Sequence, residues 1–173
     1  MFTLTMSAQI VAKKAPLTDQ ELKRWSHLDL EKDSIPGMSV DKVYSEFLKN
    51  KKSTKVIVAV VDSGVDIDHE DLKAVIWTNK KEIPNNGKDD DKNGYIDDVY
   101  GWDFANGDNS VFDGTMDDHG THVAGTIGGV GNNSVGVVGV CHQVKLMDAK
   151  FLGAQGGTTA NHNCSAEAGG RSC

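Results

Sequence analysis

Residues 56–61 run Val-Ile-Val-Ala-Val-Val without a polar break and stop on Asp62-Ser63-Gly64. An apolar run with no alternation suits a strand covered on both faces, as in a parallel sheet. In open parallel sheets, ligands and chemistry gather at the carboxyl ends of the strands. Asp62 stands at such an end, and Gly64 lets the backbone turn directly after it. Two roles are open to that carboxylate: a cap on the next turn, or one member of a reacting site.

The rest of the chain supplies the frame. "LTDQELKRWSHLDL" (17–30) opens on a capping box, Thr18 with Glu21, and continues in helix formers. "SIPGMSVDKVYSEFLKNKK" (34–52) turns at Pro36-Gly37 and predicts a second amphipathic helix, with Val40, Val43, Tyr44, Phe47 and Leu48 on one face. "VYGWDF" (99–104) and "VKLMDAKFL" (144–152) read as further strands. Between them "HGTHVAGTIGGVGNN" is small and apolar, and predicts a buried helix that starts near His119 and ends in glycines. Strand, loop, helix, strand is the order of a doubly wound α/β domain.

Charge is unevenly placed. The net charge is −7 over 173 residues, yet residues 88–118 hold ten aspartates against Lys88 and Lys92, leaving about +1 for everything else. Such a field attracts cations and repels nucleic acid, so no nucleic-acid partner is expected. No apolar run reaches the ~20 residues of a membrane span. The first fifteen residues, "MFTLTMSAQIVAKKA", read either as the remnant of an export signal or as an ordinary tail. Residues 16–52 form a helical lead-in and 53–160 the main domain. The last thirteen, "NHNCSAEAGGRSC", contain no Leu, Ile, Val or Phe where an α/β chain should enter an amphipathic helix. Either they are a disordered end, or the reading frame has left its natural course there; the second is favoured, because the domain is unfinished and the tail aberrant. Three cysteines, Cys141, Cys164 and Cys173, form no framework.

Two groups of residues suggest chemistry. "DDDKNGYIDD" sets oxygens of Asp89, Asp91, Asn93 and Asp97 around Gly94, the beginning of a calcium loop without its distal Glu. A solvated acidic turn is the alternative. His119 starts a helix whose small residues 120, 124, 125 and 128 allow close approach to a sheet. There an aspartate at a strand end can orient an imidazole that works as general base. His119 and His122 also have the spacing of a metal pair, and a packing histidine is the plain alternative.

"VAVVDSGVDIDHEDL" followed by "DDHGTHVAGTIGG" resembles the subtilisin-like serine peptidases, whose motifs read D-[ST]-G-x-[DN] and H-G-T-x-[VI]-A-G. The resemblance covers roughly 53–160. It implies a doubly wound, mostly parallel α/β sheet of the subtilisin type, here incomplete, with Asp62 and His119 as the first two triad members. The family's nucleophile motif, G-T-S-[MA]-[AS]-x-P, occurs nowhere in the chain.

The resemblance further implies a calcium site on Asp71, the Asn133 side chain and the carbonyls of Gly131, Val135 and Val137. It makes Leu152–Gly157 the edge that pairs with an extended substrate, and it sets Asp148-Ala149 where the family commonly has Pro-Val or Ala-Val. The expected protein is an extracytoplasmic, calcium-stabilised, monomeric serine endopeptidase acting on proteins or peptides. Lacking the serine motif, this chain is expected to be inactive. A non-catalytic calcium-binding module is the alternative. A phosphatase with an Asp-x-Asp nucleophile is excluded because Gly64 stands where its second carboxylate belongs.

Overall fold

A computed structural model describes residues 11–154 and 156–157. The proposed export signal lies mostly, and the carboxyl-terminal tail wholly, outside the described residues. The chain forms two compact units, residues 1–53 and 54–173.

In the first unit, Thr18 and Glu21 close the expected capping box on helix α1 (Asp19–Lys23). The helical stretch then breaks into a 3-10 turn, Trp25–His27, and a short helix α2 (Leu30–Asp33). Asp29 causes the break. Its carboxylate accepts from Glu31 and Lys32 N–H groups at 2.9 and 3.0 Å, starting a new helix in place of continuing the old one. Helix α3 (Val40–Lys42) passes directly into a π turn, Val43–Phe47. The apolar face expected here is not buried as a unit: Val40 is inside, whereas Val43, Phe47 and Leu48 are exposed. A π turn holds more residues than an α turn, so side chains spaced for 3.6 per turn leave their common line.

The second unit contains a parallel sheet of β1 (Val56–Asp62), β2 (Gly101–Asp103) and β3 (Val144–Lys150), ordered β1-β3-β2. Helix α4 (Asp118–Gly128) packs on β1 and β3. Its face toward the sheet is made of Gly120, Ala124, Gly125 and Gly128, all buried, as the small-residue pattern predicts. A Cβ on Gly128 would come within 2.4 Å of the Val144 side chain, so the helix lies as close as glycine allows. Val60, Val65, Leu72, Ile76, Ala124, Val144 and Leu146 form the core. Full burial of each large aliphatic side chain stabilises by roughly 1.5–3 kcal/mol.

One expectation fails in part. β1 is not covered on both faces along its length, since Val56 and Ile57 are more than half exposed. Among the described residues β1 pairs only with β3, so it is an edge strand, and burial grows toward Asp62.

Candidate active site and metal centres

The register levels three strand ends. Asp62 pairs with Lys150, and Lys150 with Asp103, so a carboxylate, an ammonium and a carboxylate stand side by side at the carboxyl edge of the sheet. Helix α4 begins above this edge with His119 in its second position. Asp62 Oδ1 lies 2.7 Å from His119 Nδ1. The aspartate side chain is 13% exposed and the imidazole 72% exposed, so the ring is anchored at one nitrogen and open to solvent along the rest. The hydrogen bond to Asp62 and the Asp62 charge, with Asp118 adding to them, hold the His119 pKa above its ordinary value.

Local backbone contacts fix this pair. Ser63 N–H donates to Asp62 Oδ1 at 2.7 Å, and Phe151 N–H donates to the Asp62 carbonyl at 2.9 Å. Gly64 adopts φ +126°, a value suited to glycine, and turns the chain beneath α4. The helix start is bound to that turn twice. Gly120 N–H donates to Ser63 Oγ at 3.2 Å, and Asp66 N–H donates to Thr121 Oγ1 at 3.0 Å. A Cβ on Gly120 would come within 2.2 Å of the Gly64 carbonyl oxygen. His122, one turn on, is exposed, and no group of three metal-ligating side chains that includes it occurs among the described residues.

Sequence reasoning missed the polar groups beneath the pair. Lys150 is 1% exposed and is surrounded by Asp103 at 3.2 Å, Asp117 at 2.9 Å and Asp113, which also bonds its ammonium. Burial pulls the lysine pKa down, but the hydrogen bonds it donates to Asp113, Asp117 and Asp103 outweigh it and hold the value above the lysine range. Asp148, on the same strand, is also buried. One of its oxygens accepts from Val65 N–H at 2.5 Å, and the other has no hydrogen-bond partner. Burial drives the Asp148 pKa well above the carboxylate range. The signal was a Lys and an Asp at period two within an otherwise apolar strand.

The acidic loop rearranges the expected ligand set. Asp89 accepts from the Asn93 and Gly94 N–H groups, and Asp97 accepts from those of Asn86 and Gly87, so both hold the loop's own backbone. Asn93 donates its side-chain amide to Asp98 at 2.8 Å. Of the four, Asp91 joins a carboxylate cluster, with Glu82 and Asp98, in which the oxygens lie within 4.8 Å of one another. Glu82 Oε1 accepts from the Asp90 and Asp91 N–H groups, while the buried Oε2 has no partner. Burial, with Asp91 and Glu82 nearby, raises the Asp98 pKa even though Asn93 and Asn79 donate to it.

At the second expected metal position Asp71 is 2% exposed. It accepts from Asn133 Nδ2 at 2.7 Å and from Val137 N–H at 2.9 Å, and Asn133 Oδ1 accepts from Val135 N–H. The loop 131–137 thus folds over Asp71, and Gly136, at φ +53°, approaches too closely for any Cβ. No described lysine, arginine or histidine pairs with this buried carboxylate. At the expected substrate edge, Gly153 and Gly156 exchange both backbone hydrogen bonds with each other.

A parallel α/β sheet here presents a carboxylate–imidazole pair at a strand end and helix start, the orienter-and-base arrangement of serine peptidases. The chain belongs to the Subtilase family, which it matches over residues 53–167. It is 43% identical over 108 residues to Subtilisin-like protease 1 of Plasmodium falciparum (isolate 3D7), covering 62% of this chain and 15% of that protein. It is 47% identical over 96 residues to Subtilisin-like protease 1 of Plasmodium vivax, covering 55% and 15%. It is 33% identical over 122 residues to the Major intracellular serine protease of Bacillus subtilis (strain 168), covering 70% and 32%. The chain therefore spans less than a third of the length of each of these relatives. No helix among the described residues is long and apolar enough to cross a membrane.

Proposed function

We propose that this chain carries the base-and-orienter half of a serine endopeptidase site for protein or peptide substrates. The observation that carries the reading is the 2.7 Å contact between Asp62 and His119, built on Subtilase family residues. Asp62 accepts the Nδ1–H of His119, which fixes the tautomer and leaves the other ring nitrogen to take a proton from a serine hydroxyl. As the ring becomes charged, the same carboxylate stabilises it. Acyl transfer also needs the nucleophile, and the sequence contains no Gly-Thr-Ser. By itself the chain turns over no peptide bond.

Calcium fits the donor sets. Hard oxygen ligands suit it, and a buried carboxylate oxygen without a partner, Glu82 Oε2, is a costly feature that a cation would relieve. Glu82, Asp91 and Asp98 would hold one ion. Asp71 and Asn133, with carbonyls of Gly131, Val135 and Val137, would hold another once the Asn133 amide turns its oxygen inward. The ion supplies structural charge balance and takes no part in proton transfer. The Glu82 oxygen also favours a second reading, a calcium-binding module without catalysis. The complete protein is read as an extracytoplasmic monomer.

The test has two arms. Fluorophosphonate treatment of the purified chain should label no serine above a denatured control. A folded hybrid in which residues 54–157 replace the matching segment of an active subtilase should cleave a chromogenic peptide, and His119→Ala should abolish that activity. Turnover that survives His119→Ala would refute the reading.

A further inference from the structure

We infer that Lys150 is a positioning residue for the Asp62–His119 pair, setting where the start of helix α4 sits over the end of β1. The inference assumes the peptidase reading only in calling the pair catalytic. Lys150 reaches three pieces of chain at once. Asp103 ends β2, Asp113 lies in the loop leading to α4, and Asp117 is the residue on which α4 begins. Asp117 is two residues from His119, and its side chain makes no cap on the helix. Instead it accepts from Lys150 at 2.9 Å and from the Asp113 N–H at 2.7 Å.

Buried aspartates are not needed to fold a helix end, and burying Asp103 and Asp117 with a 1%-exposed lysine is costly, Asp113 completing the cluster from the solvent side. What this arrangement does is hold α4 by Asp117, the residue just before its first turn. Lys150 is paired in register with Asp62 on one side and Asp103 on the other, so its backbone belongs to the strand edge that presents Asp62. Its ammonium holds the residue that presents His119. The two halves of the catalytic pair are thereby referred to one side chain. The contacts of Ser63 with Gly120 and of Thr121 with Asp66 fix the helix rotation, and the Lys150–Asp117 bond fixes how far its start lies from the sheet.

Charge and position predict opposite results. His119 faces two titrating groups, Asp62 and Asp118. Lys150→Met leaves three aspartates without their cation, and that extra negative field alone would raise the His119 pKa. Loss of position lengthens the Asp62–His119 bond and lowers it. The experiment follows the His119 ring signal of the full chain by NMR from pH 5 to 9, with near-UV circular dichroism checking the fold. The expected result for Lys150→Met is a fall of about one pH unit. A rise, or no change in a folded variant, overturns the inference.

Should Lys150→Met fail to fold, Lys150→Arg keeps the charge but replaces a compact ammonium with a larger planar fork, which must meet Asp103, Asp113 and Asp117 at other positions. A fall then supports positioning, and an unchanged titration overturns it. Asp62→Asn separates the two readings. If it lowers the His119 pKa while the Lys150 variants do not, positioning fails alone. If Asp62→Asn has no effect, the reading of the pair fails.

Discussion

Asp62 Oδ1 and His119 Nδ1 lie 2.7 Å apart although the two residues are 57 positions apart in the chain. β1 carries the aspartate to the sheet edge, Gly64 turns the chain, and α4 starts over that turn with Gly120 against the Gly64 carbonyl. The pair is thus a product of strand register and helix approach, and each part can be disturbed separately.

The closeness of α4 to the turn is tested by a pair of glycines. Gly120→Ala would place a Cβ 2.2 Å from a backbone oxygen, which cannot move aside cheaply. It should cost about 1–3 kcal/mol and displace His119. In Gly125→Ala the nearest atom is a Val137 methyl at 3.4 Å. The gain in helix propensity, up to ~1 kcal/mol, should make that variant neutral or stabilising. Thermal melts of the two variants against the parent chain check this. Equal effects would contradict the packing described for α4.

Asp148 predicts a pH dependence of stability. Burial holds its pKa in the folded chain well above the ordinary 3.8. Between those two values the folded state binds more protons than the unfolded state, so stability falls as pH rises through that window. Asp148→Asn keeps an acceptor for Val65 N–H and carries no charge. It should flatten this slope and stabilise the chain at pH 8, because no buried charge forms there. Denaturant unfolding at pH 5 and pH 8 measures it, and an unchanged slope would count against the account.

Calcium should raise the melting temperature. A ligand at a hundred times its dissociation constant stabilises by about 2.7 kcal/mol. Glu82→Gln with Asp98→Asn should remove the part of that gain due to their ion and leave the part due to Asp71. Asp89→Ala, which removes a carboxylate bonded to the loop's own N–H groups, should lower stability with and without calcium alike. If Glu82 and Asp98 prove dispensable while Asp89 and Asp97 are essential for the calcium response, the cluster assignment is wrong.

Much of the frame was legible in the sequence because it rests on local signals. The Thr18 capping box, the strand run into Asp62 and the small-residue face of α4 each depend on residues close in sequence or on simple periodicity. The motifs around Asp62 and His119 also pointed to two residues that the structure brings to 2.7 Å of one another. Other features depended on contacts between distant segments. Nothing local says that Glu82 and Asp98 meet Asp91, or that Lys150 collects Asp103, Asp113 and Asp117. The exposed start of β1 follows from its having one neighbour, which an apolar run cannot reveal. The π turn at 43–47 moved Phe47 and Leu48 off the face that periodicity assigned them.

The central claim is that Asp62 orients His119 and stabilises its charged form, and the titration of His119 tests it most directly. NMR of the full chain should place the His119 pKa above the ordinary histidine value of 6.5, because the Asp62 hydrogen bond and charge favour the protonated ring. Asp62→Asn should bring it back toward that value. A His119 that titrates at or below 6.5 in the parent chain, or identically in the Asp62→Asn variant, would contradict the account.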